Sequence, residues 1–247
     1  MPEVPLLHLI YIGGVIFAAY VVRGISGFGT SLVAMPLLTY VLPVHAAAPL
    51  MNTITFVLLT VLFVRDFREV AWPDLRALLW PALTGVALGL YLLHSLDNRL
   101  LLKFLGGLTA SYGIYVVVAP HLGWRDASCS RRWALPAGSI GGFIDAMFGG
   151  GGGTAVVVYM HLRRVTRAQF RATLSVLWLF EMIALVSGNA LAGFYSRYAL
   201  LVAALMLPLM WAGTHVGERV GKDISQPVFT RFIAVLLMLS GGVLLLR

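Results

Sequence analysis

A run of five glycines followed by a threonine is the part of this sequence best suited to hold a ligand. The run fills positions 149–153, with Asp145 just before it and Thr154 just after it. Glycine destabilises a helix by about 1 kcal/mol relative to alanine, so a helix should break here. A helix that resumes after the run would point its unpaired N–H groups into the break, an arrangement that binds anions. The stretch 145–154 is therefore the first candidate for an anion site.

A weaker copy of this pattern lies near the start of the chain, at Gly24-Ile-Ser-Gly-Phe-Gly-Thr-Ser31. Two interrupted apolar segments in matching positions are typical of a transporter binding site. The small, hydroxylated and amide-bearing residues of the two breaks are the expected substrate-binding groups: Ser26, Gly27, Gly29, Thr30, Ser31, Gly150, Gly151, Gly152, Gly153 and Thr154. Glycines also permit close helix packing, but a run of five exceeds what packing needs.

Three charged residues lie beside these breaks or deep within apolar segments. Arg23 precedes the first break and could grip an oxyanion with two parallel hydrogen bonds. It could equally pair with Asp145, which lies within one position of its counterpart in the second half of the chain. Glu181 lies midway along an apolar segment, where burial favours a protonated carboxyl. Asp145 and Glu181 are the expected proton-coupling residues.

Other intramembrane polar residues carry weaker expectations. Asn52 and Ser175 lie 123 positions apart, on the helix after each break, and could add donors to the site. His215 is expected to be a structural partner, as lone buried histidines usually are. Four glycines form small-xxx-small pairs that favour helix packing, at 85, 89, 213 and 217. Most of the tryptophans flank apolar segments, as in an interfacial belt.

The composition is that of a membrane protein. Hydrophobic residues make up 60% of the 247 residues and charged residues only 11%, against about 25% charged in soluble domains. The net charge of +8 is carried by short loops between apolar segments, so it indicates membrane orientation rather than nucleic-acid binding. We expect one all-α transmembrane domain over residues 1–247. Its single cysteine, Cys129, excludes an intrachain disulfide.

Ten apolar segments follow one another along the chain. A full span needs about 20 residues, and 29–43 and 153–162 fall short. We therefore expect 5–43 and 134–162 to form re-entrant helix pairs, each broken at its glycines. The remaining six are expected to cross the membrane: 46–64, 77–94, 100–120, 169–194, 198–217 and 228–246.

The basic residues set an expected orientation. Successive loops are assigned alternately to the two sides of the membrane. One side then holds 13 Lys and Arg residues and the other holds four. Arg23 lies within a break and is counted on neither side. The positive-inside rule places the 13 in the cytoplasm and both termini outside. Localisation in the inner cell membrane is expected.

The two halves of the chain resemble each other, with repeat 1 at about 5–120 and repeat 2 at about 134–247. An offset of 123 aligns Gly27 with Gly150 and Ser31 with Thr154, and an offset of 128 aligns Gly85 with Gly213. Three spans after each pair reverse the second half relative to the first. The repeats should therefore be inverted, with both breaks meeting near the midplane.

These residues resemble the sulfite exporter TauE/SafE family of membrane transporters. The resemblance rests on Gly24-Ile-Ser-Gly-Phe-Gly with Met35-Pro36-Leu37-Leu38, and on Gly141-Gly142-Phe143-Ile144-Asp145 with the glycine run. It implies a transporter of two repeats for small sulfur-containing anions such as sulfite, thiosulfate or organosulfonates, often proton-linked. The sequence departs from the family pattern in two places. Thr30-Ser31 stands where more glycine is expected, and Tyr159-Met160 where Pro36 has its counterpart.

Rival functions remain open at this point. A passive anion channel could carry the same glycines, although a channel needs no buried proton carrier. Gly24-Ile-Ser-Gly contains the G-x-S-G of intramembrane serine proteases, with Ser26 as nucleophile and His215 as base. A membrane assembly partner is a third possibility. The favoured partners are a small anion and the lipid bilayer, without nucleic acid, cofactor or metal, since no ligand cluster has metal spacing.

Overall fold

The computed structural model describes residues 5–118, 128–149, 154–221 and 226–246. Regular structure within these ranges is helical, which confirms the predicted all-α class. Ten α-helices are seen there: α1 Leu6–Ser26, α2 Thr30–Leu38, α3 Val44–Asp66, α4 Trp72–Ser95, α5 Asn98–Val118, α6 Ala134–Phe148, α7 Thr154–Leu162, α8 Arg167–Leu191, α9 Arg197–Val220 and α10 Gln226–Leu245. They coincide closely with the ten apolar segments of the sequence.

Five of the described helices are long and apolar enough to cross a membrane: Leu6–Ser26, Val44–Arg65, Trp72–Ser95, Ala168–Leu191 and Arg197–Val220. The first of these belongs to 5–43, which the sequence predicts to form a re-entrant pair rather than a full span. It continues past residue 22 through Arg23 and Gly24, where Gly24 packs directly on the backbone of α9 at Gly217. The nine-residue α2 is about 14 Å long, too short to cross a bilayer.

Each short helix folds back beside the helix that precedes it. The Tyr11 hydroxyl on α1 donates to the Leu37 carbonyl at the end of α2, over 3.0 Å. In the second pair, the Cys129 N–H just before α6 donates to the Leu162 carbonyl at the end of α7. Each pair therefore returns to the end of the bundle where it began, as a re-entrant pair does.

Glycines allow the closest helix contacts in the bundle. A side chain at Gly85 or Gly89 on α4 would collide with the backbone of α6. Gly213 and Gly217 on α9 meet the backbone of α1 in the same way. The small-xxx-small residues therefore pack helices together, as predicted from their spacing.

The contacts of the two halves correspond residue by residue. Gly213 meets the Phe17 carbonyl and Gly85 meets the Ser139 carbonyl, and these two carbonyls are 122 positions apart. Gly27 ends α1 and Gly149 ends α6 at the same offset, both with positive φ. The predicted alignment of Gly27 with Gly150 is therefore one position out.

The contact between α5 and α10 is reciprocal at its glycines. Gly113 packs on Ala234, while Gly241 packs on Gly106. The offset of 128 relates Gly113 to Gly241 and Gly106 to Ala234. The two contacts therefore join equivalent positions of the two halves.

Candidate functional site

The first break is a tight turn made by two glycines. Gly27 and Gly29 have φ of 85° and 86°, a left-handed conformation that costs glycine nothing. The Ser26 hydroxyl lies 2.8 Å from the Val22 carbonyl and 2.7 Å from the Phe28 carbonyl, and it also accepts the Phe28 N–H. Ser26 therefore closes its own turn, which leaves it poorly placed to bind substrate or to act as a nucleophile.

Arg23 lies at the positive end of α2. It is 3% exposed, and its Nη1 donates to the Thr30 hydroxyl over 3.4 Å. The first turn of α2 has no side-chain cap, so its leading N–H groups point into the break. The guanidinium also lies 5.7 Å from the ring centre of Trp178, a cation–π contact. A buried cation beside a helix N-terminus forms a strongly anion-attracting site.

The two interruptions touch at one hydrogen bond. The Ser31 hydroxyl donates to the carbonyl of Gly149, the last residue before the second break, over 2.9 Å. Gly149 also packs beside Met51 of α3, which both helix pairs contact.

Two carboxyl groups are buried in this part of the bundle. Asp145 on α6 and Glu181 on α8 are 1% and 0% exposed, and their charges interact with each other. The charge of Arg23 also acts on Asp145. Two neighbouring carboxyls in an apolar setting resist ionising together. The arrangement therefore places a pair of carboxyls that can exchange a proton within electrostatic reach of a cation, through Asp145.

Several buried polar atoms within the described part of the chain have no hydrogen-bond partner. They include both side-chain polar atoms of Asn52, the indole Nε1 of Trp178 and both Glu181 oxygens. Asn52 and Trp178 lie on α3 and α8, which pack against each other. Unpartnered buried donors are costly and call for an explanation such as a ligand. Trp178 is not among the site residues predicted from the sequence. The only sequence feature that distinguishes it is its position inside an apolar segment, far from either end.

The remaining site residues predicted from the sequence have different outcomes. Ser175 lines a crevice with Arg23 and Gly27. Gly150, Gly151, Gly152 and Gly153 lie outside the described residues. Thr154 is the first residue of α7, but its side chain is also outside the description. His215 is exposed and contacts the Trp211 carbonyl of its own helix over 3.2 Å.

The crevice beside the first break has a mainly charged and polar lining, and we call it the arginine crevice. Its residues are Arg23, Gly24, Gly27, Leu62, Arg65, Arg171, Ser175, Thr214 and Glu218. It encloses only about 20 Å³, so it is closed to anything much larger than water. A larger pocket of about 550 Å³ lies near the opposite end of α3, lined in part by His8, His45 and Tyr195.

A third polar cluster joins the end of α7 to the start of α4. The Asp74 carboxylate accepts hydrogen bonds from the Tyr159 hydroxyl and from Arg163 Nε, both over 2.9 Å. Arg163 also donates to the Cys129 carbonyl over 2.9 Å. This buried acid was missed because it stands at the start of an apolar helix. Its partners give it an anchoring role, and no cluster with metal-ligand composition is found among the described residues.

These features define a polytopic helical membrane protein with a buried cation beside its first helix interruption. The chain matches the sulfite exporter TauE/SafE family over residues 12–244 and belongs to that family. It is also 29% identical over 185 residues to the probable inner membrane transporter protein TsaS of Comamonas testosteroni, covering 71% of this chain and 73% of that protein. No solved structure matches the chain. The protein is a membrane transporter.

Proposed function

We propose that this protein is a proton-linked secondary transporter for a small sulfur-containing oxyanion or organosulfonate, of the sulfite, thiosulfate or sulfoacetate class. The observation that carries the proposal is the burial of Arg23 at the uncapped start of α2. A guanidinium and a helix N-terminus both favour negative charge, and together they suit the charged oxygens of such an anion. The sulfite exporter family of the chain is consistent with this substrate class.

The proposed binding groups surround Arg23. They are the first-turn amides of α2 and Thr30, with Asn52, Ser175 and Trp178 from the packed helices α3 and α8. The glycine run and Thr154 would complete the site from the second break. Ser31 is assigned to joining the breaks, because its hydroxyl already donates to Gly149.

The Asp145–Glu181 pair provides the proposed proton coupling. Loss of a proton from the pair would place a new negative charge close to Arg23. That charge would compete with the bound oxyanion for the same cation. Release of the proton would thus favour release of the anion, and the reverse. This positive coupling is what transport of both in the same direction requires.

The repeat and the orientation belong to the same proposal. Reciprocal contacts between α5 and α10 support two repeats related by a two-fold axis. The charge bias of the loops supports a cytoplasmic arginine crevice and outward termini in the inner membrane. Movement of one repeat against the other would then expose the anion to each side in turn.

The buried carboxyls favour a carrier over the rival passive channel. A channel needs no buried proton carrier, whereas Asp145 and Glu181 are both buried. The protease alternative is disfavoured because the Ser26 hydroxyl is engaged by backbone groups of its own turn.

The test is uptake by proteoliposomes of labelled sulfite, with thiosulfate, sulfate, taurine and sulfoacetate as competitors. At least one sulfur anion should be carried with saturable kinetics. The variant Arg23→Gln should lose transport, while Arg99→Gln, which alters an exposed arginine, should retain it. Transport that does not saturate, or that survives loss of Arg23, would refute the proposal.

A further inference from the structure

Glu218 on α9 lies between two arginines that come from different helices. Its Oε1 is 3.8 Å from Arg65 Nη1 at the end of α3 and 3.5 Å from Arg171 Nη2 at the start of α8. All three residues line the arginine crevice below Arg23. One carboxylate therefore links three helices at the mouth of the path to the candidate site.

The carboxylate of Glu218 is held loosely. Charged hydrogen bonds between nitrogen and oxygen are usually about 2.7–2.9 Å long, and both contacts here are longer. The side chains of Arg65 and Arg171 are 51% and 49% exposed, and that of Glu218 is 31% exposed. Ion pairs that are this open to water are weak and exchange readily.

Arg171 connects this cluster to the buried cation. Its side chain passes close to Gly27, with the Cγ atom 3.8 Å from where a β-carbon would stand. Its positive charge also acts on Arg23. Among the residues that the structure describes, the crevice lining carries three guanidinium groups and one carboxylate, an excess of positive charge that leads inward from the surface. Such a lining attracts and concentrates anions.

We propose that Arg65 and Arg171 form a second oxyanion-binding site and that the Glu218 carboxylate competes with the anion for this site. In the closed state the Glu218 carboxylate occupies the place of the anion. An incoming oxyanion displaces Glu218, separates α9 from α3 and α8, and passes to Arg23. This inference rests on the proposed function for the identity of the transported anion.

Transport kinetics from the crevice side distinguish a competitor from a simple structural ion pair. Glu218→Gln removes the competitor and should lower the KM for sulfite at least threefold. Arg171→Gln removes part of the site and should raise that KM at least threefold. The KM measured from the opposite side should change in neither variant. If both substitutions shift the KM in the same direction, or neither shifts it, the proposal is overturned.

A binding measurement tests the second site even if sulfite is not transported. Leu62 lines the crevice, so Leu62→Cys in a Cys129→Ser background reports access by its rate of maleimide labelling. Sulfate, which does not react with maleimide, should slow this labelling. Half-protection should need at least threefold less sulfate in Glu218→Gln than in the parent. The matched control is Glu69→Gln, an exposed acid outside the crevice, which should behave like the parent.

The outcomes of the two measurements separate the two proposals. Sulfate protection without any sulfite flux would retain the second site and refute the transported substrate. Sulfite flux without sulfate protection, or with equal protection in parent and Glu218→Gln, would refute the second site alone.

Discussion

Replacing Glu181 with glutamine should uncouple transport from the proton gradient without abolishing anion binding. Glu181 is fully buried and its charge interacts with that of Asp145, so we assign one exchangeable proton to the pair. Glutamine keeps the shape of the side chain but cannot release a proton. Asp145 is then left without a second carboxyl group with which to share one.

The size of this effect follows from the number of protons that the pair holds. One proton carried with each anion makes the accumulation ratio change tenfold per unit of pH difference, equivalent to about 1.4 kcal/mol. We expect a slope of one decade per pH unit for the wild-type protein and a slope near zero for Glu181→Gln. Sulfite should still raise the melting temperature of the variant, because Arg23 and the start of α2 are unchanged.

Proteoliposomes loaded at a series of internal pH values provide the assay, with membrane potential clamped by potassium and valinomycin. Glu69→Gln, which alters an exposed carboxylate, is the matched control and should keep the wild-type slope. An unchanged slope in a folded, sulfite-binding Glu181→Gln protein would refute the assignment of the proton to this pair.

Three further predictions concern packing and reactivity. Ser31→Ala should lower the free energy of unfolding by about 1–3 kcal/mol, because the Gly149 carbonyl loses its hydroxyl donor; thermal melting in detergent measures this. Gly85→Ala should prevent or strongly weaken folding, since the added β-carbon would collide with the backbone of α6. Gly107→Ala is the control and should be tolerated, because the space beside Gly107 is open. Expression level and melting temperature check both variants. Burial raises the pKa of the Cys129 thiol, so less thiolate is present at neutral pH, and alkylation should keep accelerating as the pH rises beyond about 9.

Each of these predictions has a clear contrary result. A Ser31→Ala protein as stable as wild type would mean that the two breaks are not joined through this hydroxyl. Equal melting temperatures for the two glycine variants would contradict the close packing of α4 on α6. An alkylation rate that levels off below pH 8 would contradict the partial burial of Cys129.

Much of the architecture could be predicted from hydrophobicity and glycine positions. Apolar segments coincide with helices because a chain in the membrane must form its backbone hydrogen bonds within each segment. A continuous apolar run therefore predicts a helix directly. The breaks at Gly27 and Gly149 are also local, since positive φ strongly favours glycine. The length of α1 was underestimated because Arg23 marks an end in the sequence, although it is buried in the fold.

The candidate site could be predicted only in part, because its geometry depends on contacts between distant helices. Ser26 has the chemistry of a ligand, but its hydroxyl is engaged by its own turn. Trp178 and Glu218 are distant from both breaks in sequence, and only folding brings them near Arg23. No pattern in a single sequence records such proximity.

The most direct test of the account is the position of a bound oxyanion. Crystals grown with selenite, an anomalously scattering analogue of sulfite, should show a peak within hydrogen-bond distance of the Arg23 guanidinium and the first turn of α2. A single peak in the larger pocket lined by His8 and His45, with none beside Arg23, would contradict the claim that the paired breaks hold the transported anion.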